Sequence, residues 1–206
     1  GTLTVIEDHS VQLENERGLR REVEKLSTLR DSVLALASEL NLDAVLDGLL
    51  DHVGRMVPFD SACVMLEENG HLQIKRYRSR ERAGEVDLWS DIVVQHSDIP
   101  HLEQMMATGC PYVASDAADE LRSVPFRSSE GIGSWAGVPI MIHGRLLGFL
   151  SLEKAEPGFY TDQIAEPLAA FAAQSGLALE NARLYAAQQK LAITDGLTGL
   201  ANRRRF

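Results

Sequence analysis

The middle of the chain reads Trp135-Ala-Gly-Val-Pro-Ile-Met-Ile142, then His143-Gly144, then Arg145-Leu-Leu-Gly-Phe-Leu-Ser-Leu152. Two apolar runs of strand length that flank a two-residue turn signal predict a β-hairpin. Because both runs are almost continuously apolar, we expect these strands to be covered on both faces. The hairpin is therefore predicted to form the centre of a sheet.

The sequence before this hairpin predicts further strands. Residues 61–66 and 71–77 are apolar or alternating runs separated by Asn69-Gly70, which is a strong hairpin signal. A short strand is predicted over 111–114. A long irregular connection follows over 116–133, with one helical turn near 119–122. A loop of this length is typical of a functional or mobile segment.

Helical patterns surround these strands. We expect a first helix over about 7–40, and a second that is capped by Asn41 or Asp43 and ends before Pro58. A short helix is predicted over 88–95, and another is predicted to have Pro100 at its first position and to stop at Gly109. The last helix spans 162–194, with Thr161 as its cap, and Pro167 predicts a kink or a delayed start. Strands and helices in this order indicate an α+β fold, with a central antiparallel sheet flanked by helices.

The two long terminal helices carry heptad-like apolar stripes. In the last helix a second stripe consists of Ile164, Phe171, Ala178 and Tyr185, so one of the two faces can cover the domain while the other pairs with another helix. We expect a parallel homodimer, and packing of the two helices within one chain is the alternative. The predicted dimer and signalling positions are Leu19, Leu26, Leu29, Val33, Leu177, Leu184 and Leu191.

The last twelve residues, 195–206, begin with turn signals that stop the helix. They follow the pattern D-x-L-T-x-L-x-N-R-R-x-F, which resembles the opening of the GGDEF family of diguanylate cyclase domains. The resemblance implies that GTP and Mg²⁺ belong to a catalytic region absent from these residues. The matching positions are Asp195, Leu197, Thr198, Leu200, Asn202, Arg203, Arg204 and Phe206.

Composition restricts the function further. The 206 residues carry a net charge of −10 and are 45% hydrophobic. An acidic chain is not expected to bind nucleic acid, which requires clustered basic residues. With no apolar run long enough to span a bilayer, a cytoplasmic location is expected. The two cysteines, Cys63 and Cys110, have no metal-binding spacing and are expected to be reduced and half-buried.

Several short motifs occur in a specific order along the second half of the chain: Ser134, Pro139, Gly144, Gly148, Leu152-Glu153-Lys154, Phe159, Asp162 and Ala178-Leu-Glu-Asn-Ala-Arg-Leu-Tyr185. On these motifs, residues 29–186 resemble the GAF family, whose fold is PAS-like. The resemblance implies a sensor domain that binds a small molecule between the sheet and the loops of the 89–133 region. The chain then divides into an N-terminal helix (1–28), the GAF domain (29–186), a helical linker (187–194) and the start of a GGDEF domain (195–206).

The ligand of such a pocket is left open. Soft and aromatic side chains suit an adaptable apolar site, although such residues are more often simply core. GAF domains that bind cyclic nucleotides carry N-K and F-x-x-x-D-E, whereas this chain has Glu153-Lys154 and Gln163-Ile164. Haem at His96, His101 and Cys110, or a bilin on either cysteine, is not favoured. The predicted pocket residues are Trp89, His96, Met105, Met106, Phe126, Trp135 and Met141.

The sequence thus predicts a regulatory domain that controls cyclic di-GMP synthesis from GTP through a dimeric helical linker. No catalytic triad, phosphate-binding glycine loop or metal-ligand spacing occurs, so residues 1–206 are expected to be non-catalytic. The alternative is a GAF domain without ligand that serves only dimerisation or protein interaction. Catalysis by residues 1–206 alone is the third and least favoured hypothesis.

Overall fold

A six-stranded antiparallel sheet organises the computed structural model, which describes residues 39–79, 92–99, 101–117 and 131–193. The strands lie in the order β3-β2-β1-β6-β5-β4. The helices are α1 (Leu42–Met56), α2 (Leu102–Thr108) and α3 (Asp162–Ile193), with a 3-10 helix over His96–Asp98. The strands are β1 (Ser61–Glu68), β2 (His71–Ser79), β3 (Val93–Gln95), β4 (Tyr112–Ala114), β5 (Ser134–Ile142) and β6 (Arg145–Lys154). This arrangement confirms the predicted α+β fold class.

Both predicted hairpins form. Asn69 and Gly70 connect β1 to β2 with φ values of 55° and 87°, and His143 and Gly144 connect β5 to β6 with 47° and 75°. Positive φ at both central residues is the backbone of a type I′ turn, whose twist matches that of the strands. The strands β5 and β6 are buried along most of their length, as their continuous apolar sequence predicts.

The two faces of the sheet have separate apolar cores. The helix face packs against α1 and α3 through side chains such as Val64, Val138 and Leu150. The other face, which we call the distal face, packs against α2 and includes Met65 and Phe149. Because side chains alternate along a strand, neighbouring residues of one strand supply opposite cores.

The helix α1 begins where the sequence predicts. The Asn41 side chain accepts a hydrogen bond of 3.1 Å from the Ala44 amide, which identifies Asn41 rather than Asp43 as the N-cap. Asp43 and Asp47 on its outer face pair with Arg76 of β2. Burial lowers the pKa of Arg76, but the bonds and charges of these two carboxylates outweigh it, and the net shift is upward.

One face of the last helix, α3, packs against the sheet. The Thr161 carbonyl accepts from the amides of Ile164 and Ala165, so the helix begins before Pro167 and the delayed start is wrong. Of the second predicted stripe, Phe171 and Ala178 are fully buried and Ile164 is half-buried, whereas Tyr185 is 40% exposed. Leu177 and Leu184 of the first stripe are 54% and 57% exposed. Within the described part of the chain, no helix combines the length and apolarity needed to cross a membrane.

Three local predictions are corrected. Residues 93–95 form a strand rather than the end of a helix, because this β-branched segment pairs with 71–73 at the sheet edge. The helix predicted from Pro100 begins at Leu102, after His101 in a left-handed conformation. The cysteines are not half-buried, since Cys63 is buried and Cys110 is exposed.

Several predictions concern residues outside the described ranges. These are the first helix up to residue 38, the helical turn near 119–122, the positions Trp89 and Phe126, and the GGDEF-like residues 195–206. The side chain of Leu191 also falls outside the described part. These remain predictions. Residues 39 and 40, at the predicted end of the first helix, are described and are not helical, and Leu40 is 45% exposed.

Candidate ligand-binding site

The distal face presents an apolar floor made by the two central hairpins. Met65 of β1 and Phe149 of β6 are register partners and lie side by side, and Trp135 of β5 follows next to them. Leu102 and Met105 of α2 cover part of this floor. Met65, Phe149 and Trp135 are at most 1% exposed, so this layer is covered in the structure. Its aromatic rings and flexible sulfur-containing side chains would suit a flat apolar molecule if the covering side chains moved.

Trp135 is fixed in place on this floor. Its Nε1 donates a hydrogen bond of 2.7 Å to the Ser151 hydroxyl, which satisfies the one polar atom of the buried indole. The indole lies over Gly137, where a Cβ atom would come within 2.6 Å of the ring. Its centroid is 6.2 Å from that of Phe149. A side chain held at both its polar atom and its ring face provides a rigid base for a site.

One end of the floor is polar. Ser61 of β1 and Glu153 of β6 are register partners, and the Ser61 hydroxyl donates to the Glu153 carboxylate. In the next row, Tyr77, Cys63 and Ser151 are neighbours across three strands. Hydroxyl and carboxylate groups beside an apolar floor can orient a ligand through hydrogen bonds at one edge.

Aromatic rings connect this floor to the surface. The exposed His101 ring stacks on Tyr112 with a centroid separation of 3.9 Å and an angle of 20°. The ring centroids of Tyr112 and Trp135 are in turn 6.3 Å apart. The series of rings runs from an exposed residue to a fully buried one, and marks an edge at which the distal face meets solvent.

The end of β6 is held by residues of the predicted GAF pattern. The Lys154 ammonium pairs with Asp60 at 2.7 Å and lies 5.4 Å from the centroid of the Phe159 ring. Burial raises the pKa of the adjacent Tyr160, and the negative charges of Asp60 and Glu153 raise it further. Lys154 and Phe159 therefore fix the strand end that carries Glu153, rather than facing the apolar floor.

The predicted pocket residues are distributed unevenly. Met105 and Trp135 are buried in the distal cluster, and Met106 and Met141 are partly buried against it. His96 lies instead at the edge near the β1–β2 turn, where its Nε2 is 2.6 Å from the Glu67 carboxylate.

Trp89 and Phe126, the other two predicted positions, lie outside the described residues. Sequence reasoning did not assign Met65, Phe149, Ser151 or Glu153 to the site. Side chains alternate between the two faces of a strand, so counting in steps of two along β6 groups Phe149 with Ser151 and Glu153. The nearly continuous apolar sequence of β6 does not indicate which face this group occupies. Among the described residues, no three metal-ligating side chains come together.

Comparison with known proteins identifies the family. The GAF-domain family model matches residues 39–180, so this chain belongs to the GAF family. A comparison with curated proteins gives no match.

Solved GAF-fold structures resemble the chain at low sequence identity. The GAF domain of a phosphoenolpyruvate-protein phosphotransferase from Acinetobacter is 19% identical with a TM-score of 0.65, covering 78% of this chain and 95% of that one. The chromophore-binding domain of a bacteriophytochrome from R. palustris is 17% identical with a TM-score of 0.59, covering 81% and 63%. A free methionine-R-sulfoxide reductase from Neisseria meningitidis, solved with its substrate, is 15% identical with a TM-score of 0.57, covering 76% and 88%. At these identities the similarity establishes the fold, which both sensors and enzymes use.

Proposed function

We propose that this GAF domain is a sensor that binds a small molecule on its distal face and controls a diguanylate cyclase domain through α3. The observation that carries the proposal is the construction of α3. One face is buried on the sheet at Phe171 and Ala178, and a second face, about 100° around the helix from Ala178, exposes Leu177 and Leu184. The helix continues to Ile193, two residues before the GGDEF-like pattern that begins at Asp195. A helix that packs on the sheet at one end and continues beyond it can transmit a conformational change of the GAF domain to the domain that follows.

The distal floor supports a particular kind of ligand. Trp135, Phe149 and Met65 are at most 1% exposed, so a ligand would have to displace the side chains that cover them before it met their flat, polarizable surfaces. Ser61 and Glu153 would offer hydrogen-bonding groups at one end. A mainly apolar, planar molecule with a polar group at one edge fits both features. The bacteriophytochrome similarity is compatible with such a ligand, since that domain is described as chromophore-binding.

The proposed transmission requires two copies of the chain. Leu177 and Leu184 are seven residues apart, so they lie on one side of the helix two turns from each other. Leu191 continues the same spacing, and the N-terminal stripe from Leu19 offers a second apolar surface. A parallel dimer through these stripes would remove them from water and would bring two following domains together.

Native mass spectrometry and absorbance of freshly purified chain would test ligand binding. A retained small molecule that is lost in Trp135→Ala, but not in a surface variant such as Gln163→Ala, supports the sensor. Protein that carries no ligand and binds none from a library of planar compounds supports the alternative, a GAF domain that only dimerises. The observation that favours this alternative is that Trp135 and Phe149 already fill the described part of the floor.

Helix phase provides the test of signal transmission. Residues 1–206 are fused, at the matching motif, to the catalytic part of a diguanylate cyclase, and cyclic di-GMP production is measured. One residue inserted after Gln188 rotates the following helix by about 100°, whereas seven residues nearly restore its face. We expect the one-residue insertion to change activity strongly and the seven-residue insertion to retain most of it. Activity that is independent of insertion length would show that α3 is only a tether.

The dimer has its own test. Leu177→Glu combined with Leu184→Glu should convert the dimer to a monomer of 22.7 kDa in sedimentation experiments, because charges would be buried without partners. Gln163→Glu, which adds a charge at an exposed position near the start of the helix, is the control and should remain dimeric. Wild-type chain that sediments as a monomer at micromolar concentration would contradict the proposal.

A further inference from the structure

Arg183 is the last described residue of α3 that bonds to the sheet. Its Nη2 donates to the Glu67 carbonyl at 2.9 Å, and its Nη1 donates to the Leu147 carbonyl at 3.3 Å. The register between β1 and β6 ends at Leu66 and Gly148, so these carbonyls lie just beyond the end of the ladder. One planar guanidinium thus bridges two strands where their own pairing stops. Beyond Arg183, the described side chains of α3 are exposed except for the half-buried Ala186.

Glu67 connects the end of the β1–β6 ladder to His96, which belongs to the elements that precede α2. Its backbone carbonyl receives Arg183, while its carboxylate lies 2.6 Å from His96 Nε2 and accepts from the Gly70 amide at 2.8 Å. His96 begins the 3-10 helix that precedes α2, and α2 supplies Leu102 to the distal floor. The contacts of His96 with Glu67, and of Glu67 with Arg183, therefore link the 3-10 helix before α2 to α3.

We infer that Arg183, Glu67 and His96 form a latch. The latch couples the position of the 3-10 helix and α2 to the part of α3 that leaves the sheet after Arg183. The inference rests on the proposed sensor function and specifies its regulation. A ligand that displaces α2 would pull on His96, shift the end of β1 through Glu67, and weaken the bonds of Arg183. The residues of α3 after Arg183 would then be free to change their orientation.

The surroundings of the latch leave space for this change. An open, polar cleft of about 480 Å³ lies beside it. The cleft is lined by Glu67, Glu68, Asn69, Gly70, Arg145, Leu146 and Arg183. A released guanidinium can therefore move into solvated space rather than into a packed core. Glu68 in this cleft pairs with Lys75 at 2.8 Å.

Hydrogen exchange of the 206-residue chain tests the latch without any ligand or cyclase. In Arg183→Met, exchange of amides 180–189 should accelerate about tenfold, because a charged donor to two carbonyls is lost, while amides 165–175 change less than about twofold. Arg183→Lys should give an intermediate effect, because a single ammonium does not reproduce the planar fork. His96→Ala should accelerate the same amides about threefold, and should add nothing in the Arg183→Met background.

Two matched variants separate the latch from general loss of structure. Arg145→Met removes an arginine from the same cleft, where it pairs at the surface with Glu180 of α3 at 2.6 Å, and should leave amides 180–189 near the wild-type rate. His71→Gln changes a half-buried histidine in the strand next to His96 and should do the same.

The inference is overturned if Arg183→Met leaves amides 180–189 unchanged. It is also overturned if His96→Ala alters exchange only near 92–99, or if the two effects simply add. Failure of the fused cyclase to respond to insertions, with the exchange results as expected, would instead refute the proposed function and leave the latch intact.

Discussion

Replacing Gly137 with alanine would place a methyl group where the Trp135 indole lies. The Cβ atom would be 2.6 Å from Cη2 of Trp135 and 2.8 Å from Cζ of Phe149. Ordinary carbon contacts are about 3.5–4.0 Å, so the rings would have to move by about 1 Å. Both rings are fully buried, and Trp135 is also held by its hydrogen bond to Ser151.

The cost follows from this geometry. Overpacking of a filled core destabilises by about 1–3 kcal/mol. The lower backbone entropy of alanine in the unfolded chain returns about 0.4–1 kcal/mol. We therefore expect a net loss of about 1–2 kcal/mol, and a fall in Tm of about 2–8 °C for a domain of this size.

Thermal unfolding followed by circular dichroism, together with tryptophan emission, measures this effect. Gly54→Ala is the matched control. Gly54 is an exposed residue of α1, and its added Cβ would meet the edge of the Phe59 ring at 3.3 Å, which requires a shift of a few tenths of an ångström rather than about 1 Å. Alanine is favoured within a helix, so this variant should keep or raise Tm. A Gly137→Ala protein with wild-type Tm and unchanged emission would refute the packing argument for the distal floor.

Two further predictions concern stability. The pKa of Tyr160 is raised in the folded state by burial and by Asp60 and Glu153. Ionisation of Tyr160 therefore leaves the free energy of unfolding unchanged below the unfolded-state pKa of about 10, and lowers it as pH rises above that value. Tyr160→Phe should show a smaller fall of the urea midpoint between about pH 8 and pH 10.5 than wild type, and equal falls would contradict this. Asn41→Ala should cost about 1 kcal/mol through loss of the α1 cap, whereas Asn41→Ser should retain most of it, with urea unfolding as the measurement.

Features made by neighbouring residues were predictable from the sequence. The turns at Asn69-Gly70 and His143-Gly144, the cap at Asn41 and the stop at Gly109 depend on local backbone preferences. The strand over 93–95 was missed because a three-residue edge strand gives too short a pattern, and its pairing with β2 is decided elsewhere in the chain.

The candidate site was only partly predictable for the same reason. Met105 and Trp135 were selected as soft and aromatic residues near the loops, and both lie in the distal cluster. Glu153 and Ser61 could not be paired from the sequence, since 92 residues separate them. His96 was assigned to the pocket by its type, but its ring contacts Glu67 at the edge of the sheet.

The sequence by itself determined most of the strands and helices, with 93–95 as an exception, and showed that α3 carries two apolar stripes. These properties follow from periodicity and turn chemistry within a few residues. Only the tertiary structure decided that β1 lies between β2 and β6, which brings Ser61 to Glu153 and Met65 to Phe149. It also decided that Arg183 reaches the carbonyl of Glu67 across 116 positions. Such contacts depend on how the sheet closes around its cores, and the local pattern of residues does not specify that order.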